Sequence, residues 1–171
     1  MYVLLKSIGG IAVLTACVLA GYIKERNLKR RCRIIEDFIN AIRTLETEIR
    51  FSRDNLSDIY CRFNAKTEAG AVFCAAGQSM MNRKGMEEAW IEAVNIWLDP
   101  AVISEENRQI LMELGREMGR CDVEGEIDRL EYYRERLKRG LETEQTEYDS
   151  RSGLYRKGSV LIGVLLVILL I

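Results

Sequence analysis

The sequence predicts an all-α protein: a compact antiparallel bundle of about six helices, flanked by N- and C-terminal transmembrane helices. Three observations support this class. Apolar residues recur at helical spacing through the middle of the chain. The chain contains one proline, Pro100, and only 8% aromatic residues, which makes a β-sandwich a poor fit. Two stretches, 7–23 and 158–171, carry no charged side chain. With 171 residues, the chain has room for one domain.

The first predicted span is an apolar run of 17 residues between Lys6 and Lys24. As a helix it is about 26 Å long, close to the lower limit for crossing a bilayer. A cleaved signal peptide would carry its basic residues before the run, whereas here they follow it. Residues 14–17 have the form of a lipidation site at Cys17, but the next residues stay apolar. We favour a retained anchor and keep lipidation of Cys17 as the alternative.

Basic residues after the first span predict its orientation. Between positions 24 and 33 these are Lys24, Arg26, Lys29, Arg30, Arg31 and Arg33. By the positive-inside rule this flank lies in the cytoplasm. The cluster either contacts anionic lipid headgroups or only fixes the topology.

The first helix of the central domain is predicted over residues 25–51. From Leu28 to Ile49 its apolar residues lie three or four positions apart, which is the spacing of one helical face. This near-heptad pattern also suits a coiled coil, although it breaks at Glu46.

A short second helix, 56–63, and a third, 71–81, are predicted next. Ser52 and Asp54 offer capping groups for the second, and Gly70 opens the third. The expected core residues of the third helix are Val72, Phe73, Ala76 and Met80.

The fourth predicted helix, 86–98, has a wide apolar face that includes both tryptophans of the chain. Because Trp90 and Trp97 are seven positions apart, they share a helical face. We expect both to pack in the core, and the alternative is a docking patch. Pro100 marks the connection that follows.

The fifth predicted helix begins at Ser104, a good N-cap residue. Its apolar stripe consists of Ile110, Leu111, Leu114 and Met118. Gly115 and Gly119 interrupt the helix, each at a cost of about 1 kcal/mol relative to alanine. We predict a close approach of a neighbouring helix backbone at Gly115. For Gly119, both a close approach and a helix end remain open.

The last helix is predicted from Asp122 to about Ser152. Its expected core residues are Ile127, Leu130, Tyr133, Leu137 and Leu141. The acidic stretch 142–149 is expected to be a solvated stalk leading to the second span.

The second predicted span, 158–171, has only 14 residues, about 21 Å of helix. If the helix is extended to residue 154, and Arg156 and Lys157 reach the membrane interface, the segment is long enough to cross a thinned bilayer or to cross at a tilt. The basic residues before the run then place its N-terminal side in the cytoplasm. The alternative is a C-terminal helix packed into a soluble core. The predicted organisation is therefore an N-terminal anchor (1–24), a cytoplasmic helical domain (25–153) and a C-terminal membrane segment (154–171).

The composition excludes most enzyme chemistry. The chain contains no histidine, which removes Ser-His-Asp catalysis and histidine metal sites. Its five cysteines form no C-x-x-C pair, and no phosphate-binding glycine motif is present. We expect no enzyme activity, no cofactor, no metal, no nucleic acid and no small-molecule substrate.

Several segments resemble the stage III sporulation protein AB family. The matching residues are Leu45, Glu46, Glu48, Ile49, Phe51 and Leu56, then 88–90 with Trp90, then Trp97, then 110–122 with Leu114, Gly115, Met118, Gly119 and Asp122, and finally the leucine-rich run 163–171. The resemblance rests on the order and spacing of these segments, because no single segment is specific to the family.

The resemblance implies a membrane component of the sporulation channel that links the mother cell to the forespore. Its domain would be similar to the cytoplasmic domain of the type II secretion and type IV pilus platform protein. The implied partners are membrane lipid, the channel's ATPase (stage III sporulation protein AA) and other membrane components of the channel. The alternative function is a membrane-tethered helical adaptor or coiled-coil signalling protein.

Overall fold

A computed structural model describes residues 2–52 and 54–170, without the side chains of residues 2–14, 17, 151–157 and 159–170. The regular elements of this part of the chain are all helices: α1 (Tyr2–Phe51), α2 (Leu56–Cys61), α3 (Glu68–Met81), α4 (Met86–Trp97), α5 (Glu105–Glu117) and α6 (Val123–Leu170). The all-α prediction is confirmed for these residues. The chain divides into two compact units, one of residues 1–30 with 144–171 and one of residues 31–143.

The unit of residues 31–143, called the central unit below, has an apolar core to which all six helices contribute. Its largest fully buried side chains are Ile35, Phe38, Ile42, Leu45, Tyr60, Phe73, Trp90, Leu98, Leu111, Leu114, Leu130 and Tyr133. The apolar stripe of α1 is therefore covered by side chains of its own chain. This burial argues against the coiled-coil alternative, which needs that stripe for a second chain.

Two helix starts differ from the prediction. Asn55, rather than Ser52 or Asp54, is the N-cap of α2, and its side chain makes no capping hydrogen bond. The Ser52 hydroxyl instead accepts a hydrogen bond from the Asp54 N–H at 3.1 Å. Thr67 caps α3, and its Oγ1 accepts the Gly70 N–H at 3.0 Å. Gly70 therefore lies inside the first turn of α3 instead of opening the helix.

The connection from α5 to α6 settles the role of Gly119. This residue follows the end of α5 with a φ of +76°, a left-handed conformation that glycine adopts without strain. Gly119 thus marks a helix end. Asp122 Oδ1 then accepts the Gly125 N–H at 3.1 Å and caps the start of α6.

The acidic stretch 142–149 is not uniformly solvated as expected, because Glu144 is buried. No helix in the described part of the chain has a stretch both long and apolar enough to cross a bilayer. Most side chains of the two predicted spans lie outside the described residues. The same is true of the side chain of Cys17, the candidate for lipidation.

Candidate interaction sites

Trp90 lies at the centre of the aromatic part of the core and is fully buried. Its ring centroid is 4.9 Å from that of Phe73 and 6.0 Å from that of Tyr60. The indole Nε1 donates a hydrogen bond to the Leu111 carbonyl oxygen at 2.7 Å, so the one polar atom of the side chain is satisfied. Trp90 therefore joins α4 to α2, α3 and α5.

Gly115 lies directly against the indole of Trp90. A Cβ at this position would be 1.9 Å from Trp90 Cδ1 and 2.4 Å from Cγ, far inside van der Waals contact. The close approach is therefore real, but its partner is the Trp90 side chain and not a helix backbone as predicted. Glycine is required here for space.

Trp97 is 50% exposed, so the prediction that it packs in the core is wrong. The reason is the helix end: α4 stops at Trp97, and Leu98 follows in an extended conformation with φ −104° and ψ 116°. This change of backbone direction turns the side chain of Leu98 into the core, where it is buried. Trp97 is left at the surface.

The solvent-facing side of α4 combines the apolar residues Ile91 and Ile96 with the acidic residues Glu88 and Glu92. We call these four residues, together with Trp97 at the exposed end of the helix, the outer α4 surface. Ile96 is 68% exposed. An open groove of about 770 Å³ runs along the helix and is lined by Lys84, Gly85, Glu87, Glu88, Ile91, Glu92, Asn95 and Ile96. Ile96 lines this groove, and Trp97 follows it as the exposed last residue of the helix. Exposed apolar side chains of this kind are typical of a protein-binding surface.

Three acidic residues of the family resemblance, Glu46, Glu48 and Asp122, are engaged within the chain. Glu46 Oε2 accepts a hydrogen bond from Arg134 Nη1 at 2.8 Å, in a pair that is mostly buried. Burial raises the pKa of the Glu46 carboxyl, and the charge of Arg134 offsets only part of that rise. Glu48 Oε2 lies 3.4 Å from Arg62 Nη2. With Asp122, which caps the start of α6, these residues make their contacts within the chain.

The remaining predicted residues occupy positions of two kinds. Leu45, Leu114 and Met118 are buried, and Ile49 packs against the core. In the basic flank, Lys24, Arg26, Lys29, Arg30 and Arg33 are exposed and Arg31 is half-buried. The side chains of Arg156 and Lys157 lie outside the described residues.

Glu126 is a residue that the sequence analysis missed. It is only 7% exposed, and its Oε1 accepts the N–H groups of Arg120 at 2.9 Å and Cys121 at 3.0 Å. The signal was present in the sequence: Glu126 lies four positions before Leu130 and seven before Tyr133, on the apolar stripe of α6. A carboxylate at a core position of a helix indicates a specific polar role.

Four cysteines, Cys32, Cys61, Cys74 and Cys121, are free thiols. Within the described residues, no group of three or more cysteine, aspartate or glutamate side chains is placed to hold a metal ion.

These features define an all-α domain with an aromatic core, the class of a helical bundle. The sequence model of the family described as Stage III sporulation protein AB (spore_III_AB) matches residues 6–171. The chain therefore belongs to the stage III sporulation protein AB family, and the resemblance is confirmed. No curated protein and no solved structure matches the chain.

Proposed function

We propose that this protein is a non-enzymatic membrane platform of the sporulation channel between mother cell and forespore, and that it docks the channel's cytoplasmic ATPase, stage III sporulation protein AA. The observation that carries the proposal is the family match over residues 6–171, almost the full length of the chain. The two apolar ends anchor the protein in the cell membrane. The helical domain lies in the mother-cell cytoplasm.

The outer α4 surface is the part of the domain that docks the ATPase. Glu46 and Glu48 form ion pairs inside the chain, so they are poor candidates for a partner. The outer α4 surface instead presents Ile96 and the carboxylate of Glu88 in the groove, with Trp97 exposed at the end of the helix. Glu92 is already paired with Lys84. Partly exposed tryptophans supply much of the binding energy at interfaces, and the acidic residues favour a basic partner surface.

The basic flank after the first apolar run is proposed to contact anionic lipid headgroups, at about 1 kcal/mol for each residue close to the surface. Five of its six residues are exposed on α1. Other membrane components of the channel are proposed to contact the apolar ends.

Binding to the ATPase tests the docking surface. The full chain, held in lipid nanodiscs, is titrated with purified stage III sporulation protein AA, and Trp97→Ala is compared with wild type. Loss of an anchor of this kind costs about 2 kcal/mol, so we expect binding to weaken at least about tenfold, with an unchanged melting temperature.

Phe51→Ala is the matched control, because Phe51 is 80% exposed and lies at the end of α1, outside the outer α4 surface. It should bind the ATPase as wild type does. Equal binding by Trp97→Ala and wild type would reject the outer α4 surface as the site. No binding by wild type would reject the ATPase as the direct partner.

The proposed topology is tested separately with Asp99→Cys, in a chain whose native cysteines are replaced by alanine. A membrane-impermeant thiol reagent should label this cysteine only after the cells are opened. Labelling in intact cells would place the domain outside the cytoplasm.

A further inference from the structure

A second groove lies in the central unit, where the end of α1, the start of α2 and the α5–α6 connection meet. Its volume is about 330 Å³. Its walls include the apolar side chains of Ile49, Leu56, Ile59 and Val123, together with the carboxylates of Asp54 and Glu126. We call it the Glu126 groove. It is at the small end of the range for ligand sites, about 300 to 1,000 Å³, and suits a single side chain better than a nucleotide.

The two oxygens of Glu126 differ in their surroundings. Oε1 accepts two backbone N–H groups and lies 3.6 Å from Arg129 Nη1. Oε2 is also buried, yet it has no hydrogen-bond partner among the described residues. A buried carboxylate oxygen without a donor is costly, because folding removes it from water. A donor in the groove would remove this cost by drawing the carboxylate of Glu126, which lines the groove, toward it.

Asp54 adds a second negative charge to the groove, but it already has a partner. Its Oδ2 accepts a hydrogen bond from Arg62 Nη2 at 2.7 Å. Glu126 also has a cationic neighbour, Arg129, but this lies at Oε1, so Oε2 is the buried carboxylate oxygen of the groove without a hydrogen-bond partner among the described residues. The charge favours a cation, and the apolar walls favour a cation carried on an aliphatic chain.

We propose that the Glu126 groove binds a lysine or arginine side chain of a partner protein. The aliphatic stem lies along Ile49, Leu56 and Val123, and the cationic head donates a hydrogen bond to Glu126 Oε2. This site is separate from the outer α4 surface and does not depend on the docking of the ATPase there. It makes the connection between α5 and α6 a binding element as well as a turn.

The alternative role of Glu126 is structural only, since Oε1 fixes the backbone of residues 120 and 121. Glu126→Gln separates the two roles. The glutamine oxygen can still accept both N–H groups, but the side chain has lost the charge and the second acceptor oxygen. A structural role predicts that this variant binds a basic side chain as well as wild type does.

The experiment follows the backbone amide signals of Arg120 and Cys121 by NMR in the full chain in detergent micelles. The probes are acetyl-Gly-Lys-Gly-amide and its arginine counterpart. The control peptide has norleucine, an uncharged residue with a similar stem. At peptide concentrations up to about 10 mM, which suit a few weak contacts, a basic peptide should shift both signals and the norleucine peptide should not.

Two variants sharpen the result. Glu126→Gln should bind the basic peptides at least about tenfold more weakly, as expected for the loss of a charged hydrogen bond. Glu124→Gln removes the same charge from an exposed position in the same helical turn and should bind as wild type does. Val123→Trp, which fills the groove without changing Glu126, should also block binding.

Several outcomes would overturn the proposal: no shift with either basic peptide, equal shifts with norleucine, or equal binding by Glu126→Gln and wild type. Arg53 lies between the groove residues Ser52 and Asp54 in sequence and is outside the described residues. The titration is therefore repeated with Arg53→Ala. Binding that occurs only in this variant would assign the groove to the chain's own arginine and would also overturn the proposal.

Discussion

The contact between α4 and α5 and the contact between α1 and α6 hold the central unit together in different ways. Between α4 and α5, the indole of Trp90 fills the space left by Gly115 and donates to the Leu111 carbonyl. Between α1 and α6, Arg134 and Glu46 form a mostly buried ion pair at 2.8 Å. The first contact depends on shape and the second on charge.

The two contacts tolerate different kinds of substitution. A packed aromatic ring against a glycine leaves no room for an added atom, so a small increase in volume is severe. In the ion pair, the attraction between the charges is offset by the cost of removing them from water. We therefore expect substitutions at the Arg134–Glu46 ion pair to change the free energy of unfolding less than substitutions at the Trp90–Gly115 contact.

Gly115→Ala should have the largest effect on stability. The new Cβ would lie 1.9 Å from Trp90 Cδ1, and the fully buried ring has little room to retreat. We expect the free energy of unfolding to fall by about 3 kcal/mol or more, measured by urea unfolding of the full chain in detergent. Gly85→Ala is the control, because no atom lies within 4 Å of a Cβ there, and it should change stability by less than about 1 kcal/mol.

Trp90→Phe tests the same contact from the other side. Phenylalanine is smaller than tryptophan and cannot donate to the Leu111 carbonyl, so we expect a loss of about 2 kcal/mol in the same assay. Trp97→Phe makes the identical change at a half-exposed position and should cost less than about 0.5 kcal/mol. Equal losses for the two variants would contradict the distinction between the tryptophans.

Glu46→Gln should have the smallest effect, and in the opposite direction. Because burial raises the pKa of the Glu46 carboxyl above its ordinary 4.5, ionisation disfavours the folded state. That cost is fully present above the folded-state pKa and disappears as the pH falls below 4.5. Arg134 keeps two other partners, because its Nη2 lies 3.2 Å from Glu131 Oε1 and its Nε lies 3.9 Å from Glu135 Oε1, so the variant leaves no unpaired charge. At neutral pH the variant should therefore be more stable than wild type by less than about 1 kcal/mol.

The pH dependence checks the cause. As the pH is lowered through the carboxyl pKa, wild type and Glu46→Gln should converge in unfolding free energy, because protonated glutamic acid and glutamine are both neutral. A loss of more than about 1 kcal/mol in the variant at neutral pH would show that the ion pair stabilises the fold after all.

Local patterns in the sequence were sufficient to predict the helices and much of the core. Apolar spacing identified the buried residues of α5 and α6, and the cost of glycine in a helix marked Gly115 as unusual. The partner of Gly115 was not predictable, because Trp90 lies 25 positions earlier and the contact depends on how two helices cross.

Two features of the candidate sites escaped prediction for similar reasons. The exposure of Trp97 depends on the extended backbone of Leu98, which ends α4 one residue before the apolar pattern does. The role of Glu126 depends on the N–H groups of the α5–α6 connection, whose conformation follows from the positive φ of Gly119. Periodicity describes one helix at a time and contains no information on these connections.

The separation of the two tryptophans has a practical consequence for fluorescence. The chain has only two tryptophans, one fully buried and one half-exposed. A soluble quencher such as acrylamide should reach Trp97 in the folded protein but not Trp90. A partner that covers Trp97 would protect it from the quencher, whereas unfolding would expose Trp90 to it. Emission from an unlabelled chain therefore reports docking and unfolding as two distinct signals.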